Sequence, residues 1–278
     1  MNLLRPSVAS EQGFASTITV RENLPSLVEA VVDALEGHLR QRLGEQRPKP
    51  LGLATGRTMV PIYGELVARL QRWPADELEH LRRSWCSFNL DEYVGLGAAD
   101  RRSFAAYMAR HLGKPLQLSP QQLHLPDGEA TDPEQQAGSY AAQLQSFGGV
   151  GVQLLGLGSN GHVGFNEPPC GPEASCRVVA LSQSTRQQNA AAFGGDPSQV
   201  PSQALTLGLK EILAADEIHL IVTGSAKAEI LKALLDTPCT EKLPASWLRN
   251  HARVALWLDQ LAVAGEKVSE ANLSSKLI

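Results

Sequence analysis

The sequence has little that would tie it to nucleic acid, membrane or metal. Lys and Arg number 25 against 29 Asp and Glu, a net charge of −4. That balance supplies no basic stripe for a phosphate backbone, so no nucleic-acid partner is expected and a cation in a pocket is a local exception. No apolar run approaches the roughly 20 residues of a spanning helix, and the opening MNLLRPSVASEQG lacks a signal-peptide core. No membrane partner is expected, and the expected compartment is cytoplasmic. The four cysteines, Cys86, Cys170, Cys176 and Cys239, form no CxxC pair and no secreted disulfide spacing, which fits reducing surroundings. His162 with Cys170 and Cys176 lacks the paired-ligand spacing of a zinc site, so no metal is expected. Neither the P-loop nor the dinucleotide fingerprint occurs, and there is no internal repeat, low-complexity tract or second composition regime. What remains, 43% hydrophobic and 19% charged over 278 residues, is the make-up of a single α/β domain with a sizeable core.

Strand and helix patterns alternate along the chain. Residues 1–14 read as a loose leader, STITV (16–20) as a first strand, and Leu27, Val28, Val31, Val32, Leu35, Leu39 and Leu43 as the apolar stripe of a helix begun at Asn23 and Pro25. LGLA (51–54) is a strand, Thr55-Gly56-Arg57-Thr58 a turn, and Val60 to Leu70 a helix. Such a junction is a ready anion site, because free N–H groups and the helix dipole converge there; it equally suits a plain turn with Thr58 as N-cap. WCSFNL (85–90) runs as a strand into Asp91-Glu92-Tyr93. Adjacent carboxylates point in different directions, so at most one faces a given ligand and the other is structural, and an Asp after a strand is more often a cap or turn residue than a base.

A helix over 101–112, a connector too rich in Pro and Gly for a long element, and a helix over 133–147 follow. VQLLG (152–156) is the central buried strand, and it opens into a loop bearing Asn160, His162, Asn166 and Glu167 among glycines. PCGPEASC reads as a flap ahead of a short helix capped by Ser182 or Ser184 and carrying Arg186. VPSQALTLGLKEILAA (200–215) reads as a helix, EIHLIVTG (217–224) as a strand and RVALWLD (253–259) as the last strand, before a polar tail at 268–278. Lys227 falls in the helical turn after Ser225, where a cation is unfavourable unless an anion offsets the dipole.

In a mostly parallel sheet with right-handed crossovers, the polar strand ends gather on one edge. The resulting crevice holds an anion cradle with cations, one carboxylate away from it, and a histidine beside an amide and an acid. That equipment suits proton transfer on a phosphorylated small molecule, and it calls for no metal or redox cofactor.

LGLATGRT, SFNLDEYVGL, GLGSNGHVGFNEP, STRQQNA, VPSQALTLGL, VTGSAKAEIL and PASWL with RVALWLD, in that order over about residues 50 to 260, resemble the glucosamine-6-phosphate deaminase (isomerase) family. The resemblance implies a modified Rossmann-like α/β domain, a mostly parallel sheet with helices on both faces, shared with the 6-phosphogluconolactonases. The lactonases lack the glutamate of Asn166-Glu167-Pro168, so the triplet favours the deaminase. It further implies conversion of D-glucosamine 6-phosphate and water to D-fructose 6-phosphate and ammonia. Asp91 matches the enolisation base, an ordinary aspartate being ionised at neutral pH. His162 matches the ring-opening acid and base, titrating near its usual pH range, and Glu167 matches its orienting carboxylate. Asn160 stands where many relatives carry Asp, which leaves His162 with one carboxylate partner and a lower basicity.

For the phosphate, Thr55, Gly56, Arg57, Thr58, Arg186 and Lys227 match the family's contacts. Arg57 replaces a usual glycine and Met59 a common proline. Residues 161–186 correspond to a mobile lid. A small sugar phosphate is the expected partner, and the resemblance leaves both a homo-oligomer and a monomer open, as it does galactosamine 6-phosphate. The rivals are a lactonase, which needs only His162 and the cradle, and a non-enzymatic sugar-phosphate sensor, which would not need Asp91 or Glu167.

Overall fold

The computed structural model describes residues 14–264. The expected leader and tail otherwise lie outside the described residues, but Phe14 is 2% exposed, under the Arg249 guanidinium, and belongs to the core. From there β1 (Thr17–Arg21) passes through Asn23 into α1 (Leu24–Arg42). Asn23 Oδ1 accepts the Ser26 amide and Ser26 Oγ accepts the Asn23 N–H, a reciprocal capping box, with Pro25 in the first turn where its missing N–H is harmless.

Next come β2 (Leu51–Leu53), α2 (Met59–Leu70), α3 (Ala75–Ser84), β3 (Ser87–Asn89) and β4 (Asp91–Tyr93). Helix α4 (Phe104–Met108) continues through a π turn, Ala109–Gly113, into the short α5 (Lys114–Leu116). The chain goes on through β5 (Leu123–His124), α6 (Pro133–Ser146), β6 (Val152–Gly156), β7 (Arg177–Ala180) and α7 (Gln183–Asn189). It closes with β8 (Gln203–Thr206), α8 (Leu209–Leu213), β9 (Glu217–Val222), α9 (Ala228–Asp236), β10 (Val254–Asp259) and α10 (Gln260–Val263).

Seven strands form one sheet in the order β1-β10-β9-β6-β2-β3-β5, and every pairing is parallel. β2 and β10 are buried at every residue, the pattern of a parallel sheet covered on both faces. The α/β expectation is borne out. Direction reverses between β2 and β6: from β2 the chain crosses to β3 and β5 on one side, from β6 to β9 and β10 on the other. Beyond the carboxyl ends of these two strands lies the crevice that such a reversal opens. The frame around it is stiff because side chains such as Leu154 and Leu155 have almost no exposure, and truncating one to Ala costs about 2–5 kcal/mol.

Three short strands depart from the sequence reading. β4, β8 and β7 make a separate antiparallel sheet in the order β4-β8-β7. β8 occupies part of the stretch read as one helix, β7 lies just after the supposed flap and within the supposed lid, and two-residue β5 sits in the connector. A run as short as Ala204-Leu205-Thr206 has no measurable period of its own, so its partner across the fold decides its state. Leu90 joins the sheets: its N–H donates to Leu53 O (3.0 Å) and its carbonyl accepts the Leu207 N–H (2.7 Å). Among the described residues no helix is long and apolar enough to cross a membrane.

Candidate active site

At the reversal point the turn after β2, the start of β4, the loop after β6 and the turn after β9 enclose a cavity of about 200 Å³. Thr55, Gly56, Arg57, Thr58, Asp91, His162 and Lys227 line it. Four strand ends thus meet on one edge, as the alternation of elements requires.

The turn is built to leave donors free. Gly56 adopts φ +102°, a left-handed conformation that glycine takes at little cost. Tyr63 Oη donates to Ala54 O (2.6 Å) and Tyr107 Oη to Gly56 O (2.9 Å), which hold its two carbonyls from outside. Thr58 stands at the N-cap of α2, yet its side chain makes no capping bond. With the Met59 N–H on Gly56 O (3.1 Å) and no N–H at Pro61, the Val60 N–H at the start of α2 is left without a side-chain cap, which favours the anion-cradle reading over a plain turn. Lys227, at the end of a 3₁₀ turn (Ser225–Lys227) that opens α9, is half-buried beside exposed Arg57. Burial first, then the Arg57 charge, hold its ammonium below the usual range. Two cations so placed are relieved by a bound dianion.

Asp91 and Glu92 divide as their alternation demands. Asp91 faces the cavity at 6% exposure, and no hydrogen bond joins its carboxylate to the described residues. Burial, then the neighbouring Glu92, push it up to about 8. The expectation of an aspartate ionised at neutral pH is thus corrected: buried beside Glu92, it keeps its proton there. Glu92 turns away and accepts three backbone N–H groups, from Tyr93 (2.8 Å), Phe104 (2.9 Å) and Ala105 (2.8 Å). Burial raises it to about 7 against those bonds.

His162 is oriented by Asn160. The His162 backbone N–H, which can only donate, points at Asn160 Oδ1 (3.3 Å), so that atom is oxygen; ring Nδ1, 2.6 Å from it, therefore carries a proton. Nε2 is left as an acceptor. The ring lies across Gly158, where a Cβ would overlap Cε1, Nε2 and Cδ2. Burial lowers the imidazole from its ordinary pKa, Glu167 opposes this and Lys227 adds to it. His162 is consequently neutral around pH 7, below the range expected from sequence.

Two residues from the sequence reading are not brought in. The Arg186 guanidinium donates to Val200 O and Ser198 O, each at 3.1 Å, and Arg186 does not line the cavity. Glu167 makes no hydrogen bond with His162; it accepts from Ser182 Oγ (3.1 Å) and Thr185 Oγ1 at the start of α7. Ser182, one of the two anticipated caps, accepts the Thr185 amide. Conversely, Phe104, Phe165, Gln188 and Asn189 line the cavity without having been singled out. Phe165 and Asn189 at least lie within the motifs quoted, whereas Phe104 carries no local signal. Residues 163–166 reach Asp91 through β8: Thr206, paired with Asp91, accepts the Phe165 N–H (3.2 Å), and Asn166 Nδ2 donates to Leu207 O (2.9 Å).

A profile of the glucosamine-6-phosphate isomerases/6-phosphogluconolactonase family matches residues 22–257. Glucosamine-6-phosphate deaminase 2 of Bacillus subtilis (strain 168) is 36% identical over 237 residues, 85% of this chain and 92% of that one. A second relative, glucosamine-6-phosphate deaminase 2 of Giardia intestinalis, is 41% identical over 228 residues, covering 81% and 84%. Among solved structures, a monomeric glucosamine-6-phosphate deaminase superposes with TM-score 0.81 at 32% identity over 90% of this chain and 100% of that one. The 6-phosphogluconolactonase of Leishmania guyanensis shares the fold, with TM-score 0.69 at 22% identity over 92% and 99%. With its sheet, its crevice and most of its length matched, the chain belongs to the glucosamine-6-phosphate isomerase and 6-phosphogluconolactonase family.

Proposed function

We propose that this protein is a glucosamine-6-phosphate deaminase, which converts D-glucosamine 6-phosphate and water to D-fructose 6-phosphate and ammonia. The observation that carries the reading is Asp91: a buried carboxyl with no hydrogen-bond partner among the described residues, in one small crevice with a neutral histidine and a cationic anion turn. A lactonase has no use for a base at that place. The deaminase names of relatives covering most of the chain agree.

The phosphate sits at the start of α2, on the Val60 amide, Thr55, Thr58, Arg57 and Lys227. His162 Nε2 takes the proton of the anomeric hydroxyl and returns it to the ring oxygen, opening the sugar; Asn160 keeps the Nδ1 proton in place meanwhile. Asp91 then removes the C2 proton and delivers it to C1 while a proton of the C2 ammonium passes to O1, which leaves a C2 iminium and a C1 hydroxymethyl group. The amine nitrogen at C2 leaves as ammonia when water adds there. A C2 ammonium near Asp91 favours the ionised carboxylate, so binding itself deprotonates the base. Glu167 holds α7 through Ser182 and Thr185, and in this reading the segment 161–186 is the cover of the crevice, clasped further by Gln188 on Ser159. Arg186 joins the phosphate only if its two carbonyl bonds open.

The test is a substrate panel: glucosamine 6-phosphate is expected to release ammonia, and 6-phosphogluconolactone is expected to survive. Lactone hydrolysis without ammonia release would refute the reading. In the same assay Lys227→Ala is expected to raise KM about ten-fold or more with little change in kcat, because phosphate is held alike in ground and transition states. A fall in kcat at constant KM would contradict that role. The pH profile of kcat/KM is expected to fall about ten-fold per unit below about 8, since the free protein's base must be ionised. The limb in kcat lies at lower pH, because the bound substrate's cation lowers the base.

A further inference from the structure

The sequence of contacts that begins at Glu92 does not stop at α4. Its carboxylate takes the N–H groups of Phe104 and Ala105, the first two of the helix, while Ser103 Oγ takes that of Ala106 (3.0 Å). The donors at this helix start are thereby satisfied by the strand that carries Asp91 and by the N-cap residue. α4 in turn touches the crevice at three places. The Phe104 ring lines it, stacks at 6.1 Å on Phe165 of the histidine loop, and lies 4.6 Å from Tyr93. One turn on, Tyr107 Oη donates to Gly56 O in the anion turn (2.9 Å). A buried carboxylate is a costly way to cap a short helix, since its desolvation is only partly offset by three backbone bonds. That cost suggests a role beyond capping.

We infer that Glu92 is a positioning residue that sets both ends of the site through one element: it fixes α4, and α4 holds the Phe104 wall and, through Tyr107, the Gly56 carbonyl of the phosphate turn. The base and the cradle are then spaced by a single strut, Glu92–α4–Tyr107. The Glu92 carboxylate also stands beside Asp91, where its charge adds to the burial that keeps the base protonated. The inference rests on the roles given above to Asp91 and to residues 55–58.

Two variants test it. Tyr107→Phe removes only the hydroxyl on Gly56 and is expected to raise KM about five-fold, the weight of one neutral hydrogen bond, with kcat unchanged. Glu92→Gln keeps the shape but sets an amide nitrogen against the Ala105 N–H. It is expected to raise KM at least as much and to move the limb of kcat/KM to lower pH, a shift that mere loss of stability does not produce. The double variant is expected to raise KM no further than the larger single one, because both act along one path. Competition by inorganic phosphate is expected to weaken in parallel, and Tyr107→Phe decides the matter if Glu92→Gln does not fold. An unchanged KM in Tyr107→Phe, effects that multiply in the double variant, or an unmoved pH limb in folded Glu92→Gln each overturn the strut. Persistent turnover in Asp91→Asn, or an unchanged KM in Lys227→Ala, would instead remove the site roles beneath it.

Discussion

Replacing Asp91 by asparagine is expected to lower kcat for deamination about 10³-fold while making the protein more stable. The first half follows from the carboxyl's place in the crevice. The second follows from its burial. Asp91 titrates at about 8 in the fold against an ordinary 3.8. A group raised in this way favours folding below its unfolded value, and that contribution is lost as pH climbs from about 4 to about 8, where the unfolded chain gives up its proton first. At pH 7 the loss approaches about 4 kcal/mol as a ceiling. The asparagine does not ionise and gives up no hydrogen bond with the described residues, so it escapes the loss. Its melting temperature is expected to exceed wild type by several degrees at pH 8 and to match it at pH 4, as scanning calorimetry at the two values would show. Equal melting temperatures at both would mean that Asp91 is not strained by burial.

The second large effect is steric. In Gly158→Ala the new methyl occupies the space of the His162 ring, and the ring cannot both remain on Asn160 Oδ1 and avoid it. A displacement of about 1 Å in a reacting group costs about 10²-fold, so kcat/KM is expected to fall by at least that much. The fold is expected to survive, because the atoms that must yield belong to one side chain. Gly64→Ala is the control: it lies in α2 with no heavy atom within 4 Å of its added carbon, and should leave activity unchanged. A fully active Gly158→Ala would show that the ring position is not critical.

How much of this was legible in the sequence depended on where each feature takes its instructions. The run Leu51–Leu53 with its glycine turn, and Glu217–Val222 leading to Lys227, announce themselves locally: an apolar strand, a turn, a helix stripe. That Asp91 and Glu92 would part, one to the site and one to the scaffold, follows from alternation alone. β8 could not be read so. Its state is set by β4, more than a hundred residues earlier, and by β7, and β8 is also what draws the histidine loop to Asp91. Motifs likewise placed Arg186 and Glu167 near the crevice but not the direction of their side chains; Arg186 is held by two carbonyls and Glu167 by two hydroxyls. The protonation of Asp91 was misjudged, and the lowered basicity of His162, expected from Asn160, has burial as its first cause. Ordinary pKa values assume water, and both groups are largely out of it.

The most direct measurement is to follow ammonium and fructose 6-phosphate in the same reaction mixture from glucosamine 6-phosphate, with wild type and Asp91→Asn side by side. Equal amounts of both products from wild type, and almost none from a folded Asp91→Asn protein, are expected. Ammonium without fructose 6-phosphate, or undiminished formation of both by the variant, would contradict the assignment of the crevice as a deaminase site with Asp91 as its base.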